Sequence, residues 1–223
     1  MCRTKLAERK MPSYTRAEEI CHMVTHIVGG GIGVLALVLC VVTAALHQNV
    51  WGVVTCAVYG GTLVTVYAVS SVYHGLLPSM GKRVMQVLDH CAIYGLIAGT
   101  YTPIVLVSLR PEYPVLAWGL LVAEWGLAAL AITLTAIDLQ AYSVFSMLCY
   151  VGMGWCIMAF PRAVTTVLGA NGFALLLAGG IAYTVGAVLY GLGKKRRYVH
   201  ALFHVFVDIG SLLHALCIWL YVA

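Results

Sequence analysis

Two histidines four residues apart, His200-Ala-Leu-Phe-His204, are the side chains of this sequence best placed to do chemistry. On a helix that spacing stacks both imidazoles on one face, with Cβ atoms roughly 5–6 Å apart. Two such rings can bind one Zn²⁺ at nitrogen distances of about 2.0–2.1 Å. A third ligand must come from another segment, and His74 is the candidate. Three protein ligands leave a fourth position for water, the arrangement of a catalytic rather than a structural zinc. Asp89 can ligate directly or hold that water as hydrogen-bond acceptor and base. Ser70, one turn before His74 on the same face, can support the ligand shell.

The remaining ionisable groups are read against these. His22 and His26 repeat the four-residue spacing, and a packing or hydrogen-bonding role is expected of them, with Glu19 as a nearby partner. His90 follows Asp89 directly and faces away from it, because adjacent helical residues diverge by about 100°. His47 falls in a polar connection and is expected to be solvated. Asp208 continues the His200/His204 stripe and can orient a ligand or add negative charge. His214 lies deeper, as a supporting or pathway residue. Glu124 sits in the middle of an apolar block, and no role follows for it from the sequence.

The chain that must position these groups has 223 residues, of which 62% are hydrophobic and only 9% charged, with a mean hydropathy of +0.95. A soluble domain of this size carries far more charge. The apolar residues come in blocks of about 20 without strict alternation, which points to membrane-spanning helices and excludes barrel strands. The expected fold is an all-α, polytopic bundle of seven transmembrane helices, at about 24–46, 51–73, 86–109, 114–136, 142–160, 166–191 and 200–222. A basic segment, 1–23, precedes one membrane domain, 24–222; no connection is long enough to separate two domains, and no cleavable signal peptide is expected.

Basic residues set the orientation. With the N-terminus in the cytoplasm, the inner segments hold Arg3, Lys5, Arg9, Lys10, Arg16, Lys82, Arg83, Lys194, Lys195, Arg196 and Arg197, and the outer loops hold Arg110 and Arg162, a split of eleven to two among the thirteen. The C-terminus then lies outside. In this topology His22, His26, His74, Asp89, His200 and His204 all reach the cytoplasmic layer, delivered by four separate helices. Ionisable side chains inside spans are costly and mark function by default. The net charge of +5 anchors orientation and meets anionic lipid headgroups rather than nucleic acid. The eight cysteines form no CxxC pair and read as buried, reduced small hydrophobes. Gly29/Gly33, Gly95/Gly99 and Ala182/Gly186 have the small-residue spacing that lets helices approach in lipid, and Pro103 is expected to loosen the third helix. No HExxH, P-loop, GxSxG elbow or basic stripe interleaved with aromatics is present.

Several ordered motifs resemble one family. Ser70-Ser-Val-Tyr-His74, Lys82-Arg83, Leu88-Asp-His-Cys-Ala-Ile-Tyr94 and Ala98-Gly-Thr-Tyr-Thr-Pro103 are similar to those of hemolysin III proteins, bacterial relatives of the progestin and adipoQ receptor (PAQR) family. His200-Ala-Leu-Phe-His204 with Gly210-Ser211 and His214 resembles that family's last span, and Glu18-Glu19-Ile20 with Thr25-His26 its N-terminal motif. The resemblance implies a seven-helix membrane protein with zinc near the cytoplasmic face, held by His74, His200 and His204. Asp89 would hold a zinc-bound water, with Ser70 in support. Asp208 departs from the apolar residue expected at its position. The wider superfamily includes alkaline ceramidases, so a zinc-dependent hydrolase of a lipid amide or ester is the leading expectation. Its partners would be membrane lipids and a lipid substrate, and its location the cell (inner or plasma) membrane. The alternatives are a cytolysin, as the family's name implies, and a sensor of membrane state with a structural metal.

Overall fold

A computed structural model describes residues 4–9, 11–193 and 196–223. Cys2, Arg3, Lys10, Lys194 and Lys195, used above in reading redox state or orientation, lie outside the described residues. Among those described there are helices and no strands.

The helices are α1 (Arg16–Leu46), α2 (Val50–Gly75), α3 (Met80–Pro103), α4 (Pro114–Ile137), α5 (Ser143–Trp155), α6 (Pro161–Gly193) and α7 (Val199–Tyr221). α3 runs on through a π-helical stretch, Ile104–Leu109, into Arg110–Glu112, and α5 ends in a 3₁₀ turn, Cys156–Ala159. Six of these units are long and apolar enough to cross a membrane; the apolar Ser143–Ala159 unit is shorter. The chain is therefore an all-α, multi-pass membrane bundle.

α1 starts at Arg16, eight residues before the expected span. Thr15 accepts from the Glu18 amide while Glu18 bonds back to the Thr15 backbone, a capping box that satisfies two otherwise unpaired donors. The early start places Glu19, His22 and His26 on one helical face. α1 packs between α2 and α7, and α6 lies along α7. α3 packs against α2, α4 and α5 and is the inner helix: 67% of its most apolar stretch is buried. The outward faces stay apolar; Val34, Leu35, Val38 and Val42 of α1 are each at least half exposed. Water would penalise that surface, whereas hydrocarbon accepts it.

Gly29 and Gly33 press onto α2, Gly99 onto Thr62 of α2 and Gly186 onto Phe203 of α7, as the small-residue spacing predicts; Gly95 faces open space. The π-helical stretch begins directly after Pro103, whose missing amide loosens the ladder. α6 is interrupted at Gly169, with φ 67° and ψ 173°. The seven described cysteines are free.

Before α1, the segment from Thr4 docks on the α4–α5 connection. The Thr4 amide donates to Asp138 (2.9 Å) and the Arg9 guanidinium to the Ile137 carbonyl (2.7 Å). Arg83 of α3 donates to the Arg9 carbonyl. The Thr4 amide is the main cause holding the Asp138 carboxyl below its ordinary value.

A Cβ at Gly169 would meet nothing within 4 Å, so a substitution there isolates backbone strain. Gly169→Ala should destabilise the protein by about 1–3 kcal/mol through the positive φ alone, read as a lowered melting temperature in detergent; an unchanged melt would show that the break in α6 is not conformationally required.

Candidate metal centre

Five imidazoles converge at the end of the bundle where α1 and α7 begin and α2 ends: His22 and His26 from α1, His74 from α2, His200 and His204 from α7. Ring centroids of His74 lie 4.8 Å from His22, 5.3 Å from His204, 5.7 Å from His200 and 6.1 Å from His26. His26 and His204 approach to 3.9 Å, and the Nε2 atoms of His200 and His204 are 3.1 Å apart. All five are buried; His22, His74 and His204 are at most 1% exposed.

Two groups of three bring their ligand atoms within 4.8 Å of one another: His22/His74/His200 and His26/His74/His204. Each combines His74 with one histidine of α1 and one of α7. The helical spacing explains the pairing. His22/His26 and His200/His204 are both i, i+4 pairs, so two parallel ladders face each other with His74 between them.

Glu19 fixes how His74 is presented. Its Oε2 lies 2.7 Å from His74 Nδ1, and its Oε1 accepts from Lys82 Nζ at 2.7 Å. An ionised carboxylate only accepts, so Nδ1 carries the proton and the Nε2 lone pair faces the cluster. Lys82, 4% exposed, also donates to the Leu76 carbonyl at 2.9 Å and lies over the Tyr73 ring. On the other side Thr25 Oγ1 donates to the His22 carbonyl at 2.8 Å and lies 3.1 Å from His204 Nδ1. Tyr14 stacks on His200 (5.2 Å, 24°) and meets His22 edge-on. Burial beside Tyr190, Glu19, Glu18 and Asp89 raises the Tyr14 hydroxyl well above its ordinary pKa, so it stays a neutral cover.

Nδ1 and Nε2 of His22 and Nδ1 of His26 are buried without hydrogen-bond partners. Unpaired buried polar atoms are costly, and a bound cation relieves them. Several imidazoles facing one another with free nitrogens are a donor set suited to a transition-metal ion. The residues present fit one.

Of the three histidines expected from the sequence, His74 belongs to both groups, His200 to one and His204 to the other, so the expected set is not itself one of the two groups. Ser70 is buried one turn before His74. Asp89 is partly buried in the first turns of α3 and belongs to neither three-histidine group; its Oδ2 lies 3.9 Å from His90 Nδ1. His90, expected to face away from Asp89, stays within that distance of it, with Nδ1 on the Gln86 carbonyl (2.9 Å) and Nε2 towards the Tyr190 hydroxyl (3.4 Å). Glu124 lies midway along α4, accepting from Cys156 at 3.0 Å. What the sequence reading missed is the carboxylate of Glu19 as the orienting group and Lys82 as its buried counter-ion. The signal for His22 and His26 was present in their spacing.

The fold and this centre define a polytopic helical membrane protein with a histidine-lined site capable of holding a metal ion. The chain belongs to the haemolysin-III related family, whose sequence model matches residues 14–215. It is 38% identical over 205 residues to "Hemolysin-3" of Bacillus cereus, covering 92% of each chain. It is 34% identical over 208 residues to the "Hemolysin-3 homolog" of Bacillus subtilis (strain 168), covering 93% of this chain and 96% of that one. A more distant relative is the human "Monocyte to macrophage differentiation factor", 27% identical over 190 residues, 80% of this chain and 76% of that one. No solved structure matches.

Because both groups share His74, His74→Ala should abolish metal binding, while His22→Ala or His26→Ala alone leaves one group intact and most of the metal in place. Glu19→Gln, which weakens the hold on His74 Nδ1, should lower metal affinity about 10–100-fold. Elemental analysis and chelator competition on detergent-purified protein read both; full occupancy in His74→Ala would rule out a shared ligand.

Proposed function

We propose that this protein is a zinc-dependent integral membrane hydrolase of a lipid amide or ester. The observation that carries the reading is the buried histidine cluster with unpaired nitrogens at one end of an apolar bundle. In the same proposal seven segments span the cell (inner or plasma) membrane, with the N-terminus cytoplasmic. The eleven-to-two division of basic residues supports this orientation. The site then lies just beneath the inner headgroups, where a lipid's amide or ester linkage lies, and its acyl chains lie along the apolar helix faces.

Bound among these histidines, zinc supplies Lewis acidity and a water acidic enough to ionise near pH 7. His74, His200 and His204 hold it in this reading, with His22 and His26 as further donors. Glu19 keeps the His74 lone pair aimed inward. Asp89 accepts the proton released on attack and returns it to the leaving group. Ser70 supports the shell from beside His74. Tyr14 covers His22 and His200 and keeps bulk water out.

A second reading, membrane lysis, is favoured by the name of the Bacillus cereus relative, "Hemolysin-3". Against it stands the resident character of an apolar multi-helix bundle.

Purified protein should release product from ceramide-like substrates. Losing an orienting partner alone costs about 10–100-fold, so His200→Ala should lose at least as much. Wild type no faster than His200→Ala removes the hydrolase. Dye release from liposomes that survives loss of His74, His200 and His204 together favours lysis. Full metal occupancy without turnover, with stability lost on chelation, leaves a structural-metal sensor.

A further inference from the structure

Below the histidine cluster, the face of α7 that carries His204 continues into Asp208 and Ser211, at i+4 and i+7. Asp208 as a residue is only partly covered, but its Oδ1 is enclosed and has no hydrogen-bond partner. Facing it are Gly29 of α1 and Tyr67 of α2. A Cβ on Gly29 would run into both the Tyr67 ring and Asp208 Oδ1, so the two side chains meet at that gap. Tyr67, fully buried, donates its hydroxyl proton to Ser211 Oγ at 2.7 Å, and Tyr183 of α6 shares the same Oγ at 2.7 Å. The Tyr183 ring is 5.3 Å from that of His214, whose Nε2 is held by the Leu176 carbonyl at 3.0 Å.

Glycines open the space for this chain of groups at each crossing. A Cβ at Gly210 would collide with the Tyr183 ring, and one at Gly179 with the His214 ring. From His200 to His214 the helix rises about 21 Å, against roughly 30 Å of hydrocarbon. Phe and Ala would fill the same positions without the cost of burying carboxylate, hydroxyl and imidazole in a membrane interior. The Asp208 carboxylate beside a line of hydroxyls has the composition of a proton relay.

We propose that Asp208, Tyr67, Ser211 and Tyr183 form a proton path that leads from the level of the histidine cluster into the bundle towards His214. A proton carried on Asp208 passes to the Tyr67 oxygen, directly or through one water, as Tyr67 gives its own proton to Ser211. Ser211 gives its proton to Tyr183, which passes one through a water to the Nδ1 lone pair of His214, left free because Nε2 donates to the Leu176 carbonyl, and Asp208 takes up the next proton from the histidine-cluster side. Each hydroxyl gains one proton and loses one, so none is left charged, and rotation of the hydroxyls resets the line. The path is independent of hydrolysis.

The test is proton flux into liposomes that hold the full-length protein and a trapped pH-sensitive dye, driven by a potassium diffusion potential. Wild type should acidify the lumen faster than protein-free liposomes. Asp208→Asn and Tyr67→Phe should each cut the protein-dependent rate at least fivefold while keeping wild-type metal content and a monodisperse elution profile. Thr133→Ala, on the exposed face of α4, should leave the rate unchanged. If Asp208→Asn aggregates, Ser211→Ala carries the same expectation. Wild-type flux no greater than that of protein-free liposomes, loss of trapped dye, or undiminished flux in the path variants would each overturn the proposal.

Discussion

The Glu19 carboxylate bridges His74 and Lys82, and with them three helices, at 2.7 Å on each side. A buried charge is tolerated only when paired and hydrogen-bonded, and removing one partner of such a pair costs about 3–5 kcal/mol. Lys82 neutralises Glu19, and Glu19 in turn dictates which nitrogen of His74 carries the proton. Without that arrangement the His74 ring could flip or exchange tautomers, and the nitrogen common to both three-histidine groups would no longer face the cluster. α1, α2 and α3 are thereby locked at the one level where α7 delivers its two rings.

Much of this was legible because helix geometry is local. The i, i+4 spacing of His200 and His204 fixes their shared face whatever surrounds them, and the apolar blocks place His74 at the same end of the bundle. The contact between Glu19 and Lys82 was not legible in the same way. Lys82 sits 63 residues from Glu19, beside Arg83 in a short polar connection, which reads as a headgroup anchor. Only the fold shows that its flexible stem turns inward, over Tyr73, while Arg83 reaches the N-terminal segment. The two basic neighbours have opposite fates because adjacent helical positions point in different directions. His22 and His26 carried the same spacing as the α7 pair, yet their depth depended on where α1 starts, and that was set by the Thr15/Glu18 capping box rather than by hydropathy.

Departures from regular helix follow a similar division. Pro103 is visible in sequence, and a looser ladder after it follows from its missing amide. The form that loosening takes, six π-helical residues, depends on how Ile104, Val105, Leu106 and Leu109 bury against the neighbouring helices. Gly169 is one of 23 glycines, and nothing in its neighbours distinguishes a left-handed break from the close-packing glycines at 29, 33 or 99. Those glycines meet another helix; Gly169 meets nothing within 4 Å. One residue type thus serves two physical ends, close approach and positive φ, and the sequence alone does not separate them.

The histidine cluster also limits its own stoichiometry. His74 spends Nδ1 on Glu19, so it has one lone pair to offer, and a nitrogen lone pair ligates one ion at a time. The outer group with His22 and His200 and the inner group with His26 and His204 therefore share a single ion rather than holding one each. Two ions at once would require one group to do without its α2 ligand. The five imidazoles therefore converge on one cation, with Tyr14 over the His22/His200 side and the His26/His204 side a turn deeper.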